Sequence, residues 1–160
     1  MTETPRDHGG GLDAAIATYG GTRARWIDLS TGINPHPYPV GNFDADTWGA
    51  LPDRSAHDAL VNAARKFWNV PKEADILAAP GASALIAQIP TLAPHGDVFI
   101  QTPTYNEHAA AFAHHGWNVT QNRAAGTQVA VHPNNPDGYF WPAGELTAQM
   151  RIIDESFCDI

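Results

Sequence analysis

Residues 131–138 have the sequence Val-His-Pro-Asn-Asn-Pro-Asp-Gly, and Val131 is the last residue of an apolar run. Two asparagines follow that run, and a proline lies on each side of the pair. The prolines restrict the backbone and therefore the directions in which Asn134 and Asn135 can point. An asparagine amide can donate a hydrogen bond to a phenolate oxygen without adding charge to a site. The Asn-Pro-Asp-Gly sequence is also typical of a plain turn, so the run alone indicates either a ligand contact or a turn.

A carboxylate follows a second apolar run, in which Asp154 comes directly after two isoleucines. A carboxylate at the end of a buried strand is costly unless it has a partner, and a protonated pyridine nitrogen is a suitable one. Ligands of open α/β sheets bind at the carboxyl ends of strands. We therefore expect Asp154 and the amides of residues 131–138 to lie in one site.

Two further stretches have residue types that suit a ligand. Residues 80–83, Pro-Gly-Ala-Ser, predict a glycine turn and a helix that begins at Ser83, where free N–H groups can hold a phosphate. Many such turns bind nothing, so this pattern is weak by itself. Tyr105 follows a predicted strand and can stack on a flat ligand or simply pack.

Composition excludes several classes of protein. The chain has 160 residues, 43% of them apolar, which is enough for one domain with a core. Its net charge of -8 and nine unclustered basic residues argue against a nucleic-acid partner. No apolar run approaches the roughly 20 residues of a membrane span. The single cysteine, Cys158, allows no internal disulfide, and we predict a cytoplasmic protein.

The eight histidines do not predict a metal site. The chain has no His-Glu-x-x-His motif, and His108, His114 and His115 are too far apart along one predicted helix to bind one tetrahedral ion. We interpret these histidines as solvated or capping residues and predict no metal.

The elements that must position these residues alternate between strand and helix from about residue 74. We predict strands at 74–79, 98–101, 117–121 and 128–131 and from 152, with helices at 83–92, 106–115 and 144–151. Upstream we predict a helix at 12–19, a strand at 26–29, a proline-rich extended segment at 30–39, loop to about residue 54, and a helix at 57–69 capped by Ser55. The alternation indicates an α/β fold with a largely parallel sheet.

Taken in this order, the motifs resemble the first half of a class I and II aminotransferase, a fold dependent on pyridoxal phosphate. They are residues 81–83 (Gly-Ala-Ser), 103–105 (Pro-Thr-Tyr), 134–138 (Asn-Asn-Pro-Asp-Gly) and 154–157 (Asp-Glu-Ser-Phe). Residues 8–10 (His-Gly-Gly), 28–35 (Asp-Leu-Ser-Thr-Gly-Ile-Asn-Pro) and 132–138 are similar to the threonine-phosphate decarboxylases of cobalamin biosynthesis, close relatives of the histidinol-phosphate aminotransferases. The resemblance covers nearly the whole chain.

The resemblance implies an incomplete large domain of a fold type I transferase, with a mainly parallel sheet, flanking helices and an N-terminal arm. It divides the chain into an N-terminal arm with substrate-side loops (1–54), a linking helix (55–73) and the first part of the cofactor-binding domain (74–160). It also implies a homodimer.

The resemblance assigns roles to individual residues. The cofactor would be pyridoxal 5'-phosphate, with its phosphate held by Gly81, Ala82 and Ser83. Tyr105 would stack on the face of its ring, and Asn135 would bind the ring hydroxyl. The catalytic Asp154 would face the pyridine nitrogen. Asn34 and His8 match the substrate-binding positions. The Asn135–Pro136 peptide is expected to be cis, as is common in this fold.

Three departures from the family pattern bear on activity. The family's Schiff-base lysine follows the Asp-Glu motif, whereas this chain has only Lys66 and Lys72, both upstream. The family's downstream arginines are absent, and its aromatic-Pro-Asp segment is Leu-Pro-Asp at residues 51–53. The stretches near Gly126 and between 138 and 154 are short, which indicates a fragment or missing residues.

The implied activity is decarboxylation of L-threonine O-3-phosphate to aminopropanol phosphate. The first alternative is transamination of the histidinol-phosphate type, which would use the same cofactor contacts. The absent lysine favours a second alternative, a non-catalytic fragment that binds a phosphate ligand or a partner. A plain nucleotide-binding α/β domain is a third, and it would leave Asn135 and Asp154 without a role.

Overall fold

The computed structural model describes residues 9–159, and its centre is a four-stranded, fully parallel sheet in the order β2-β1-β3-β4. The strands are β1 (Asp97–Ile100), β2 (Asn118–Thr120), β3 (Thr127–Val131) and β4 (Met150–Asp154). The helices are α1 (Leu12–Tyr19), α2 (Ala45–Gly49), α3 (Arg54–Phe67), α4 (Ala82–Gln88) and α5 (Asn106–His114), with 3-10 turns at Arg23–Arg25 and Ile89–Leu92. The predicted α/β fold is confirmed.

The core lies on both faces of the sheet. All five residues of the inner strand β3 are buried, as expected for a parallel strand covered on both sides. One face packs under α5, where the Phe112 and Trp117 rings meet nearly edge-on. The other face packs under Trp141, which covers Phe99 and Ala130. The sheet therefore holds its strand ends rigidly in place.

The first long helix confirms the periodicity but corrects its cap. α3 begins at Arg54, earlier than predicted, and its N-cap is Asp53, whose side chain accepts from the Ala56 N–H at 2.9 Å. Ser55 is inside the helix, and its hydroxyl donates to Asp53 Oδ1 at 2.8 Å. A carboxylate is the better acceptor at the positive end of a helix, so the prediction of Ser55 as the cap was wrong.

Two predicted strands do not form. Residues 26–29 and 74–79 are irregular, and neither pairs with a strand among the described residues. In the second segment Ala74, Ile76 and Ala78 are partly buried while the residues between them are exposed, so the alternation of a strand is present. An extended segment becomes a strand only when a neighbour completes its hydrogen bonds. The loop predicted up to residue 54 also contains the short helix α2.

The helix predicted at 144–151 is also wrong, because a loop connects β3 to β4. Gly144 has a φ of +84°, which is incompatible with a right-handed helix. The buried Gln128 side chain accepts hydrogen bonds from the N–H groups of Thr147 and Ala148, at 2.8 and 3.0 Å. These N–H groups therefore stabilise a loop that places Leu146 on the core.

The N-terminal part of the chain meets the strand-end region at a few points. The Trp68 indole N–H donates to Asp159 Oδ2 at 2.7 Å. A Cβ on Gly32 would lie 3.2 Å from the Phe157 ring, so the backbone at residue 32 packs closely on that ring. Among residues 9–159, no helix combines the length and the hydropathy needed to cross a membrane.

Candidate active site

A cavity of about 330 Å³ lies at the carboxyl ends of β3 and β4. Its floor includes Val131 and Asp154, which are register partners in the two strands. The remaining wall comes from several separate segments: Ser30, Thr31, Gly32, Ile33, Ala82, Ser83, Ile86, Tyr105, Asn135, Ser156 and Phe157. The fold thus brings together residues that are up to 127 positions apart in the chain, from Ser30 to Phe157.

The structure brings five predicted site residues to this cavity: Ala82, Ser83, Tyr105, Asn135 and Asp154. Gly81 is adjacent, as the N-cap of α4, but it does not line the cavity.

The two predicted substrate-binding residues are not among the cavity residues. Asn34 follows the lining segment, and its side-chain oxygen accepts from the His36 N–H at 2.9 Å, so it shapes a turn. His8 lies outside the described residues. The roles of all these residues stay predictions.

Asp154 is held as an oriented carboxylate. Its Oδ2 lies 2.8 Å from His108 Nε2, and its Oδ1 accepts from both the backbone N–H and the hydroxyl of Ser156. The hydrogen bond from His108, followed by those from Ser156, lowers the pKa of Asp154 to about 2 against the opposing effect of burial. The group is therefore charged at neutral pH.

His108 is the site residue that sequence reasoning missed. It was interpreted as a solvated or capping histidine, but its side chain is 1% exposed, and a carboxylate acceptor requires that Nε2 carry the hydrogen. Its other ring nitrogen, Nδ1, is buried without a hydrogen-bond partner among the described residues. The signal in the sequence is spacing, because His108 is three residues after Tyr105 and so shares its helix face.

The two neighbouring asparagines do different work. Asn134 is buried, and its amide group donates to the Pro103 carbonyl and to Asp137 while its oxygen accepts from the Thr104 hydroxyl. It therefore ties together two loops at the strand ends. Asn135 lines the cavity, and the Asn135–Pro136 peptide is cis, as predicted. Asn134 thus has a structural role, whereas Asn135 lines the cavity.

This division makes a matched pair of variants informative. Replacing Asn134 with alanine should lower the free energy of unfolding by about 2 kcal/mol, because the buried amide is lost and the Thr104 hydroxyl and Pro103 carbonyl, in partly buried hydrogen bonds, lose their partner. Replacing Asn135 with alanine should change it by less than about 0.5 kcal/mol. Urea denaturation followed by tryptophan fluorescence measures both values. Equal losses of unfolding free energy in the two variants would contradict the structural role of Asn134.

The chemistry of the cavity fits a pyridoxal phosphate group. The start of α4 receives no side-chain cap, which leaves backbone N–H groups near Ala82 and Ser83 for a phosphate. A carboxylate can accept about four hydrogen bonds. Asp154 accepts three from the protein, so acceptor capacity remains for a pyridinium N–H.

Comparison with known proteins gives a consistent match. The sequence profile of the family "Aminotransferase class I and II" matches residues 25–158. A protein named "Threonine-phosphate decarboxylase" from Sinorhizobium sp is 35% identical over 98% of this chain and 52% of its own length. A protein of the same name from Pseudomonas aeruginosa is 32% identical over 96% of this chain and 50% of its own length.

The chain spans about half the length of the curated relatives it matches. The first alignment extends over 173 positions, more than the 160 residues of this chain, so the relative has residues at positions where this chain has none.

Proposed function

Because this chain belongs to the class I and II aminotransferase family, we propose that it forms the pyridoxal phosphate cradle of an enzyme that decarboxylates L-threonine O-3-phosphate. The observation that carries the proposal is the single cavity shared by Ala82, Ser83, Tyr105, Asn135 and the ionised Asp154. The names of the two relatives support the choice of substrate.

Each residue has a task that its chemistry suits. The backbone at the start of α4 and the Ser83 hydroxyl would hold the phosphate. Tyr105, whose ring meets His108 nearly edge-on at 6.2 Å between centroids, would pack on the pyridine ring. The Asn135 amide would donate to the ring hydroxyl.

Asp154 would act on the reactivity of the bound group. Pyridoxal phosphate supplies an electron sink that accepts the charge left when the substrate's carboxylate departs. A carboxylate with a pKa of about 2 stays negative throughout the neutral range and would keep a proton on the pyridine nitrogen. The Ser156 and His108 hydrogen bonds fix where that charge lies.

The proposal for this chain is limited to the cradle. Lys66 is within α3 and Lys72 lies just after it, and neither lines the cavity. Neither lysine therefore has a role in the proposed cradle.

Titration of the full chain with pyridoxal phosphate, followed by ligand absorbance, tests the cradle. We expect saturable binding of one equivalent that inorganic phosphate weakens, with Asn135→Ala binding more weakly than wild type. Borohydride reduction and peptide mapping should give no stoichiometric adduct at Lys66 or Lys72. Absence of saturable binding by the folded chain would remove the proposal.

Transamination is the second candidate, and the family profile itself, whose name refers to aminotransferases, favours it. Both reactions need the same contacts in the cavity, so the products have to separate them. A longer protein containing this chain should release CO2 and aminopropanol phosphate from L-threonine O-3-phosphate if it is a decarboxylase. A keto product without CO2 would show an aminotransferase.

Exposed apolar side chains in the N-terminal part support an assembled protein, which we propose to be a homodimer. Ile27, Leu29, Tyr38 and Leu51 are all more than 80% exposed. Apolar exposure of this extent marks surfaces that contact further polypeptide.

A further inference from the structure

The N-terminal arm is tied to the cavity wall through one serine. The Gly10 N–H donates to Ser30 Oγ at 2.7 Å. The same hydroxyl donates to Asp28 Oδ1 at 2.6 Å, and the Ser30 N–H donates to that oxygen at 2.9 Å. Ser30 therefore uses both its hydroxyl hydrogen and a lone pair, and its orientation is set by Asp28.

The contact leaves no room for a side chain on the arm. A Cβ on Gly9 would lie 2.3 Å from the Ser30 carbonyl oxygen and 2.9 Å from its Oγ, distances that real Cβ atoms do not reach. Gly9 also has a φ of +72°, in the region that favours glycine. Gly9 is therefore required both by its backbone conformation and by its closeness to Ser30.

Ser30 begins the part of the cavity wall that does not belong to the α/β layer. Residues 30–33 line the cavity together with the strand-end residues Val131 and Asp154, and the backbone at Gly32 packs on the Phe157 ring. These residues are exposed, and the segment has no regular secondary structure. Its position therefore depends on a small number of contacts at its two ends.

We propose that Gly9, Gly10 and Ser30 form a latch that fixes segment 30–33. Ser30 is then a positioning residue for the amino acid that is attached to the cofactor ring. This rests on the proposed function, which places the ring against Tyr105, Asn135 and Asp154. The lining left over for an attached amino acid includes segment 30–33. The latch thus affects the amino-acid end of the ligand and leaves the ring contacts unchanged.

Two ligands separate these effects: pyridoxal phosphate alone, and the stable reduced conjugate of pyridoxal phosphate with O-phospho-L-threonine. Gly9→Ala and Ser30→Ala should bind pyridoxal phosphate within about twofold of wild type. They should bind the conjugate about tenfold more weakly, the scale of one lost hydrogen bond and a displaced wall. Isothermal titration calorimetry on the full chain measures both.

Gly11→Ala is the matched control, because a Cβ there meets nothing within 4 Å and the backbone is not left-handed. It should bind both ligands as wild type does. Gly10 has the same φ of +72° as Gly9, but a Cβ there would meet nothing within 4 Å. A smaller loss of affinity for the conjugate in Gly10→Ala than in Gly9→Ala would therefore separate the effect of backbone strain from that of the clash at Gly9.

Amide hydrogen exchange gives a readout that does not depend on any ligand. The Gly10 amide should be protected in wild type, and the amides of Thr31 and Gly32 should exchange faster in Gly9→Ala and Ser30→Ala. An unprotected Gly10 amide, or unchanged exchange at Thr31 and Gly32, overturns the latch. Failure of wild type to bind pyridoxal phosphate would instead contradict the proposed function and leave exchange to decide the latch.

Discussion

Replacing Asp154 with asparagine is expected to weaken binding of pyridoxal phosphate by this chain about a hundredfold. The carboxylate is charged because its pKa is about 2, and it has acceptor capacity left for a pyridinium N–H. Asparagine keeps the shape and can still accept from His108, but it removes the charge. A charge-assisted hydrogen bond in a partly buried site contributes about 1.5–3 kcal/mol, which corresponds to roughly ten- to a hundredfold in affinity.

Glu155→Gln is the control for this experiment. Glu155 is the adjacent carboxylate, it is exposed, and it is not among the residues that line the cavity of about 330 Å³. It should bind the cofactor within about twofold of wild type, since a screened surface charge contributes little. Equal binding by Asp154→Asn and wild type would show that Asp154 does not face the pyridine nitrogen. An equal loss of affinity for pyridoxal phosphate in Glu155→Gln would show that binding depends only on the net charge of the chain.

The strands that build the site could be predicted because their signals are local. Val98 to Ile100 and Val129 to Val131 are short apolar runs, and both lie inside the sheet, where both faces are covered. Helix α5 has its predicted beginning at Asn106. For such segments the local sequence is enough to predict whether a strand or a helix forms and about where it lies.

The elements that failed depend on partners that composition cannot reveal. Residues 74–79 have the alternation of a strand but no neighbouring strand among the described residues. The segment before β4 has helix-forming residues, yet the distant Gln128 side chain takes the N–H groups of Thr147 and Ala148. In both cases a long-range contact, or the lack of one, overrides local propensity.

The site follows the same rule. Strand ends in a parallel sheet meet at one edge, which predicted a shared site for Asp154 and the amides of residues 131–138, and the family resemblance singled out Asn135. His108 was misinterpreted because its burial depends on how α5 packs on the sheet, and its partner is 46 residues away. The residues alone did not distinguish Asn134 from Asn135, since only the folded loops show which amide Pro103 and Thr104 bind.

Replacing His108 with phenylalanine should lower the free energy of unfolding by about 3 kcal/mol at neutral pH. Phenylalanine fills the buried space, but Asp154 loses the hydrogen bond that most lowers its pKa and remains largely buried. Losing a hydrogen bond to a charged, largely buried group costs about 1.5–3 kcal/mol, and the burial of Asp154 puts the loss near the upper limit although Ser156 still donates to it. His114→Phe, on the exposed side of the same helix, should cost less than about 0.5 kcal/mol.

Acid titration of stability identifies the cause of that loss. The folded-state pKa of Asp154 is lowered from 3.8 to about 2, so its contribution is present above pH 4 and disappears as the pH falls towards 2. That shift corresponds to on the order of 2 kcal/mol. The difference in unfolding free energy between wild type and His108→Phe should therefore shrink by up to this amount between pH 4 and 2. A difference that stays constant across this range would mean that His108 stabilises the fold through packing alone, and that another group sets the charge of Asp154.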